Sequence, residues 1–179
     1  MKWENLMRLQ VDRDWWGKHY IIPFKITKDT KLHWFQYRLI NRILATNSYL
    51  KKIGYIQSDL CTFCSQDKET ILHLFSECQF SRNVWRNLKI WMSNVLHENI
   101  NIETIDILFC NAGMSNIQNM IILLVKFYIY QQRMKKSLPD FNGFTEYLKK
   151  YQKTEKLIYY NKNEYMKFID RWNPFILIE

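Results

Sequence analysis

CTFCSQDKETILHLFSEC, residues 61–78, places three cysteines and a histidine in the order C-x2-C-x8-H-x4-C. The two-residue gap lets Cys61 and Cys64 point at one ion from a tight turn. His73 and Cys78, five apart, converge on it from the start of a helix or its flanking loop. Zinc suits three thiolates and one imidazole at tetrahedral corners, and four protein donors leave no open position for a water nucleophile. The expected site is therefore structural. The same residues admit another reading, in which the CxxC is a redox pair and His73 packs on the apolar face of Ile71, Leu72, Leu74 and Phe75. A redox CxxC opens a helix in a βαβ context, and no such pattern surrounds Leu60 and Phe63. Cys110, after Ile107, Leu108 and Phe109, reads as a packed small hydrophobe.

Helical periods flank this segment on both sides. Upstream, Leu32, Phe35, Leu39 and Ile43 recur at three- and four-residue steps after the capping pair Asp29 and Thr30, which predicts a helix over Lys31 to Ala45. Arg38 and Arg42 then project together from another face. Asn47 restarts a short helix through Leu50 to Ile53, stopped by Gly54. Downstream, Val84, Leu88, Trp91 and Val95 line one stripe of a helix from about Phe80 to Leu96. A strong helix carries Ile117, Met120, Ile121, Leu124, Tyr128 and Gln131, with Arg133, Lys135 and Lys136 at its C-terminal end, where cations are favoured, and Pro139 beyond it. Phe144, Tyr147, Leu148 and Tyr151 mark another helix, and Tyr165, Phe168, Ile169 and Trp172 a last one; Leu157 to Tyr160 reads equally as helix or short strand. The expected fold is mainly α, a helical bundle with an embedded CCHC zinc-knuckle-like segment.

Composition agrees. Only 4 Gly and 3 Pro in 179 residues leave too few turn-makers for a many-stranded sandwich or barrel. With 47% hydrophobic and 16% aromatic residues the chain supplies its own core. The net charge of +9 is uneven, since residues 1–60 hold 11 basic against 5 acidic side chains. Such a surface concentrates polyanions, nucleic acid or acidic lipid. No apolar run approaches a membrane span and the N-terminus lacks the apolar core of a signal peptide, so an intracellular protein with no membrane partner is expected.

Several stretches together carry a family resemblance. The run KLHWFQYRLINRILATNSYL (31–50), the pair Cys61 and Cys64, the segment Glu69 to Cys78 with His73 inside it, and Trp85 appear in the order of the reverse-transcriptase zinc-binding region. That region lies C-terminal to the polymerase in the second open reading frame of non-LTR (LINE-type) retrotransposons. Lys126 to Tyr130 and Tyr159 through Trp172 are similar to the C-terminal tail of such proteins. The resemblance implies a zinc-binding domain over residues 1–112, its zinc segment at 61–78, with a helical tail at 113–179 packed on it. It carries structural Zn²⁺ onto Cys61, Cys64, His73 and Cys78, and it implies an accessory module that helps bind the element's own RNA or the target DNA. Starting just upstream of the zinc segment, the chain reads as a remnant of a longer reading frame.

No catalytic constellation accompanies it. The polymerase needs paired aspartates to hold Mg²⁺, and the sequence has no adjacent aspartates and no GxxxxGK loop. Pro139-Asp140 could open a restriction-like nuclease signature, but neither Glu146 nor Glu155 is followed by x-Lys. The chain is expected not to be an enzyme. For nucleic acid, Arg38, Arg42, Lys51 and Lys52 are the candidates to neutralise phosphate, with Tyr37, Tyr55 or Phe63 to stack on unpaired bases; single-stranded RNA is favoured over duplex DNA. The competing expectation is an interaction or scaffold module that docks on a polymerase core through Trp3, Trp15, Trp16 and Trp34.

Overall fold

The computed structural model describes Trp3 and residues 12–178. Its helices are α1 (Arg13–Ile26), α2 (Thr30–Ile40), α3 (Asn47–Lys52), α4 (Gln79–Leu96), α5 (Thr104–Phe109), α6 (Asn116–Lys135), α7 (Phe141–Asn161) and α8 (Tyr165–Trp172). A single π-helical turn, His73–Glu77, precedes α4. The described residues contain no strand, only an isolated antiparallel bridge between Leu60 and Lys68.

Side chains satisfy orphan N–H groups at the starts of α1, α2, α3, α5, α6 and α7. Asp12, Asp29, Thr46 and Asp140 each accept a backbone N–H of the first turn of α1, α2, α3 and α7. Ser115 and Gln118 close a reciprocal capping box on α6, and Glu103 and Asp106 one on α5. At the other ends, His97 and Lys136 turn left-handed after α4 and α6, and Gly54, at φ 76°, follows α3 where a side chain would be strained.

The core is organised around α6. Met120, Ile121, Ile122, Leu123, Leu124 and Val125 are all buried, so this stretch is apolar on every side and must be surrounded. Helices α1, α2, α5 and α7 pack against it, α4 lies on the π turn and α7, and α8 closes over α7. One cation is enclosed as well. Lys126 is 0% exposed; its Nζ donates to Gln36 Oε1 at 2.7 Å and stands 3.5 Å from both the Leu108 carbonyl oxygen and Cys110 Sγ. Burial pushes the Lys126 amine below its ordinary pKa, opposed by Cys110. Cys110 is thus more than a packed hydrophobe: it faces the ammonium from a left-handed backbone at φ 65°.

Two expectations need correction, and one open reading is resolved. Helix α2 stops at Ile40, not Ala45, because Asn41 is its C-cap and Arg42 turns to φ 58°. Helical spacing therefore no longer relates Arg42 to Arg38. Leu157 to Tyr160 belongs to α7 and is helical. The tryptophans do not form an outer surface: Trp3, Trp15 and Trp16 each set their rings edge-on to Phe109 at 5.4 Å, and only Trp34, 60% exposed, faces solvent. Among the described residues no helix is long and apolar enough to cross a membrane.

Candidate metal centre

The first two ligands sit on a reversed turn held by its own backbone. Cys61 N–H donates to the Asp67 carbonyl oxygen at 2.8 Å and Glu69 N–H to that of Asp59 at 2.7 Å, so the two arms of the loop run side by side. Ser65, at φ 55°, reverses the chain just after Cys64, and its N–H returns to the Cys61 carbonyl oxygen. Phe63 N–H donates to Cys61 Sγ at 3.4 Å, which favours a thiolate there.

The second two ligands depend on the π turn. Residues five apart on an α-helix, at 100° each, point about 140° away from each other. With i→i+5 bonding and roughly 4.4 residues per turn the difference falls to about 50°. The defining bond is present, from Cys78 N–H to the His73 carbonyl oxygen at 2.8 Å. The x4 spacing is therefore met by a local widening of the helix. Thr70 Oγ1 accepts the His73 N–H at 2.9 Å and fixes the start of that turn.

One donor atom from each of the four residues lies within 4.8 Å of the other three. Cys61 Sγ is 3.9 Å from Cys78 Sγ, and Cys64 Sγ is 3.4 Å from His73 Nε2. Tetrahedral zinc with Zn–S of about 2.3 Å and Zn–N of about 2.05 Å requires edges of about 3.8 Å between sulfurs and about 3.6 Å between sulfur and nitrogen. Both measured edges fit. Cys61, His73 and Cys78 are buried and Cys64 is half-buried, so the ligand set is closed by protein.

Between the two buried sulfurs, Cys61 donates to Cys78, which raises the Cys61 thiol and lowers Cys78; the N–H groups of Phe80 and Ser81 lower Cys78 further. Binding a divalent ion replaces the shared proton. His73 presents Nε2 to the site and turns Nδ1 toward Asp67 Oδ2, 3.9 Å away, the side on which a carboxylate favours this tautomer.

A second polar cluster supports the loop, and sequence reasoning missed it. Glu69 is 0% exposed. Its carboxylate accepts the Asn47 N–H at 2.9 Å, the Thr62 N–H at 2.7 Å and Arg133 Nε at 2.9 Å. Arg133 Nη2 also donates to Asn47 Oδ1 at 2.6 Å, and Asn47 Nδ2 donates to the Leu60 carbonyl oxygen at 2.7 Å. The turn carrying Cys61 and Cys64 is thereby joined to α3 and to the far end of α6. Partners 64 positions apart leave no local pattern; an acid just before the apolar run of residues 71–75 is the only hint.

The expected phosphate contacts separate into different environments. Arg38 is exposed on the outer side of α2 with Trp34 and Tyr37. Arg42 lies over the Trp3 ring at 5.2 Å and shares a concavity of about 390 Å³ with Lys52 and Tyr49. Lys51 is turned to Asp59 at 2.9 Å. Of the candidate stacking rings, Tyr37 and Tyr55 are exposed, but Phe63 is buried beneath the metal turn and offers no face to a base.

Three sulfurs and one imidazole closing around a point inside a helical core define a zinc-stapled α-helical domain. The family described as zinc-binding in reverse transcriptase matches residues 2–85, which contain all four ligands, so this part of the chain is a reverse-transcriptase zinc-binding domain. A search among curated proteins finds no match to the chain.

Proposed function

We propose that the chain is a non-catalytic accessory module of a LINE-type retroelement reverse transcriptase, in which zinc holds the fold and a basic, aromatic outer face binds single-stranded nucleic acid, RNA ahead of DNA. The observation that carries this reading is the exposed side of the α1–α2 hairpin. Phe24, 56% exposed, packs its ring 4.5 Å from His33 across the hairpin, and Trp34 stands 5.8 Å from Tyr37 along α2. Lys25, Lys28, Lys31 and Arg38 are exposed on the same pair of helices and their connection. Flat rings among cations suit unpaired bases on a phosphate backbone, a chemistry that tolerates any sequence. Four protein donors saturate a tetrahedral zinc shell, which supports a structural ion.

Docking on a polymerase core is the second reading. It has lost three of the four indoles on which it rested, since Trp3, Trp15 and Trp16 pack on Phe109. Filter binding of the zinc-loaded chain to mixed-sequence RNA at two salt concentrations separates the two. Retention that falls steeply with salt is expected; absent or salt-insensitive retention refutes nucleic-acid binding.

A further inference from the structure

An open groove of about 910 Å³ runs between α4 and the segment that leads into α5. One wall is the first half of α4, with Arg82 and Arg86 one turn apart and Gln79 and Asn83 beside them; Ile102 and Ile107 form the other, and Phe80 contributes an aromatic ring. No acidic side chain lines it, and α4 as a whole carries Arg82, Arg86 and Lys89 with no Asp or Glu. The neighbouring Glu103 is committed elsewhere, to Asn101 Nδ2 and to the cap of α5. Arg82 has no carboxylate partner among the described residues, and Arg86 donates only to Asn83 Oδ1 at 2.6 Å.

We infer that this groove is a phosphodiester-binding site that seats a short stretch of single-stranded nucleic acid, with Arg82 and Arg86 on successive phosphates and Phe80 against a base. The inference rests on the nucleic-acid reading above and locates a contact that the basic N-terminal residues do not supply. Four residues of helix rise about 6 Å, so the two guanidiniums are spaced like neighbouring phosphates on an extended strand. Gln79 and Asn83 offer both donors and acceptors, as base edges require. A duplex would keep its bases away from Phe80. A polyanion without flat rings, such as polyglutamate, would use the arginines but leave the Phe80 ring without a stacking partner.

The metal centre sets the position of this wall. Cys78 immediately precedes α4 as its N-cap residue. Ser81 Oγ donates to the Leu74 carbonyl oxygen at 2.6 Å and Trp85 Nε1 to that of Phe75 at 2.6 Å, so the arginine-bearing turns are locked to the π turn that holds His73.

The test compares the zinc-loaded full chain with its Arg82→Gln/Arg86→Gln variant by fluorescence anisotropy on a labelled oligouridine over a range of salt. Both residues are exposed, and an unchanged thermal midpoint verifies that the variant is folded. Loss of two phosphate contacts lowers the slope of log affinity against log salt by about 1.4 for a single strand. Photocrosslinking of a 4-thiouridine oligonucleotide to the peptide containing Phe80 is the second expected result. Wild-type binding with an unaltered slope in the variant and no crosslink at Phe80 overturns the groove while leaving the nucleic-acid reading intact. Displacement of the oligonucleotide from Phe80 by polyglutamate as readily as by unlabelled RNA overturns it in favour of an acidic polypeptide. No binding by the wild-type chain overturns both.

Discussion

Arg133→Met removes the guanidinium that neutralises Glu69 while keeping an unbranched stem in its place. The pair is 2.9 Å apart, with side chains 9% and 0% exposed. Coulomb attraction at that distance is about 6 kcal/mol for an effective dielectric of about 20. Breaking a buried pair from one side is known to destabilise by about 3–5 kcal/mol, because the remaining charge stays out of water. The Asn47 and Thr62 N–H groups still reach Glu69, which places the expectation near the lower figure. A loss of about 3 kcal/mol corresponds to a fall in thermal midpoint of roughly 6 to 12 °C for a chain of this size. Urea unfolding of the zinc-loaded protein supplies the free energy. Glu69→Gln combined with Arg133→Met removes both charges and is expected to recover part of the loss, so the double-mutant cycle isolates the coupling. Because Glu69 also holds the N–H of Thr62, the single variant should weaken zinc binding about tenfold or more. A single variant within 1 kcal/mol of wild type, or a cycle without coupling, refutes the reasoning.

Cys64→Ser is expected to abolish stoichiometric zinc by atomic absorption, and chelation of the wild type should remove hydrogen-exchange protection from residues 59–78 while amides in α6 stay protected; global exchange on chelation contradicts a domain that owns its core. Lys126 should make stability rise with pH. Its folded pKa is depressed by burial, so its contribution is complete above the unfolded value of about 10.4 and is lost as pH falls through the folded one. Wild type should therefore gain on Lys126→Met between neutral pH and pH 10 in urea midpoints, and a pH-independent difference between the two denies the depressed value. Glycine substitutions should split in sign. Gly143→Ala drives a Cβ into the Tyr128 hydroxyl and should cost about 1–3 kcal/mol, whereas Gly17→Ala on open helix surface should add up to about 1 kcal/mol; equal thermal shifts for the two contradict the packing described.

What the sequence revealed follows from the range of the physics involved. The helix period of α4, α6, α7 and α8 is a local signal, repeated over several turns; it marked α4, α6 and α8 to within a few residues of their observed ends, whereas α7 runs on to Asn161, well beyond Tyr151, its last marker. The four zinc donors lie within eighteen positions, so their spacing could be read as chemistry. Helix α1 was hidden by Pro23, which removes an N–H from the ladder; the burial of Trp16, Ile22 and Ile26 outweighs that loss. Six-residue α5 is too short to show a period. The Glu69–Arg133 and Lys126–Gln36 contacts join residues 64 and 90 positions apart, and a single chain carries no mark of such pairings. Lys126 did leave a trace, since it falls one turn beyond Ile122 and three residues before Ile129, where a cation has no route to water.

The widened turn at His73–Glu77 makes this domain intolerant of length changes in a particular way. Deleting one residue between the third and fourth ligands would rewind the segment as ordinary helix, where ligands four apart stand about 40° from each other instead of about 50°, so site and register would both survive, whereas inserting one residue would rotate everything downstream by roughly 80 to 100°. Val84, Trp85 and Leu88 would swing out of the core in the same step that carries Cys78 away from its metal. Homologues that gain a residue at this point should thus lose coordination and helix register together, while those that lose one should keep both, so the gap is a ruler for the whole C-terminal packing with tolerance on its short side only.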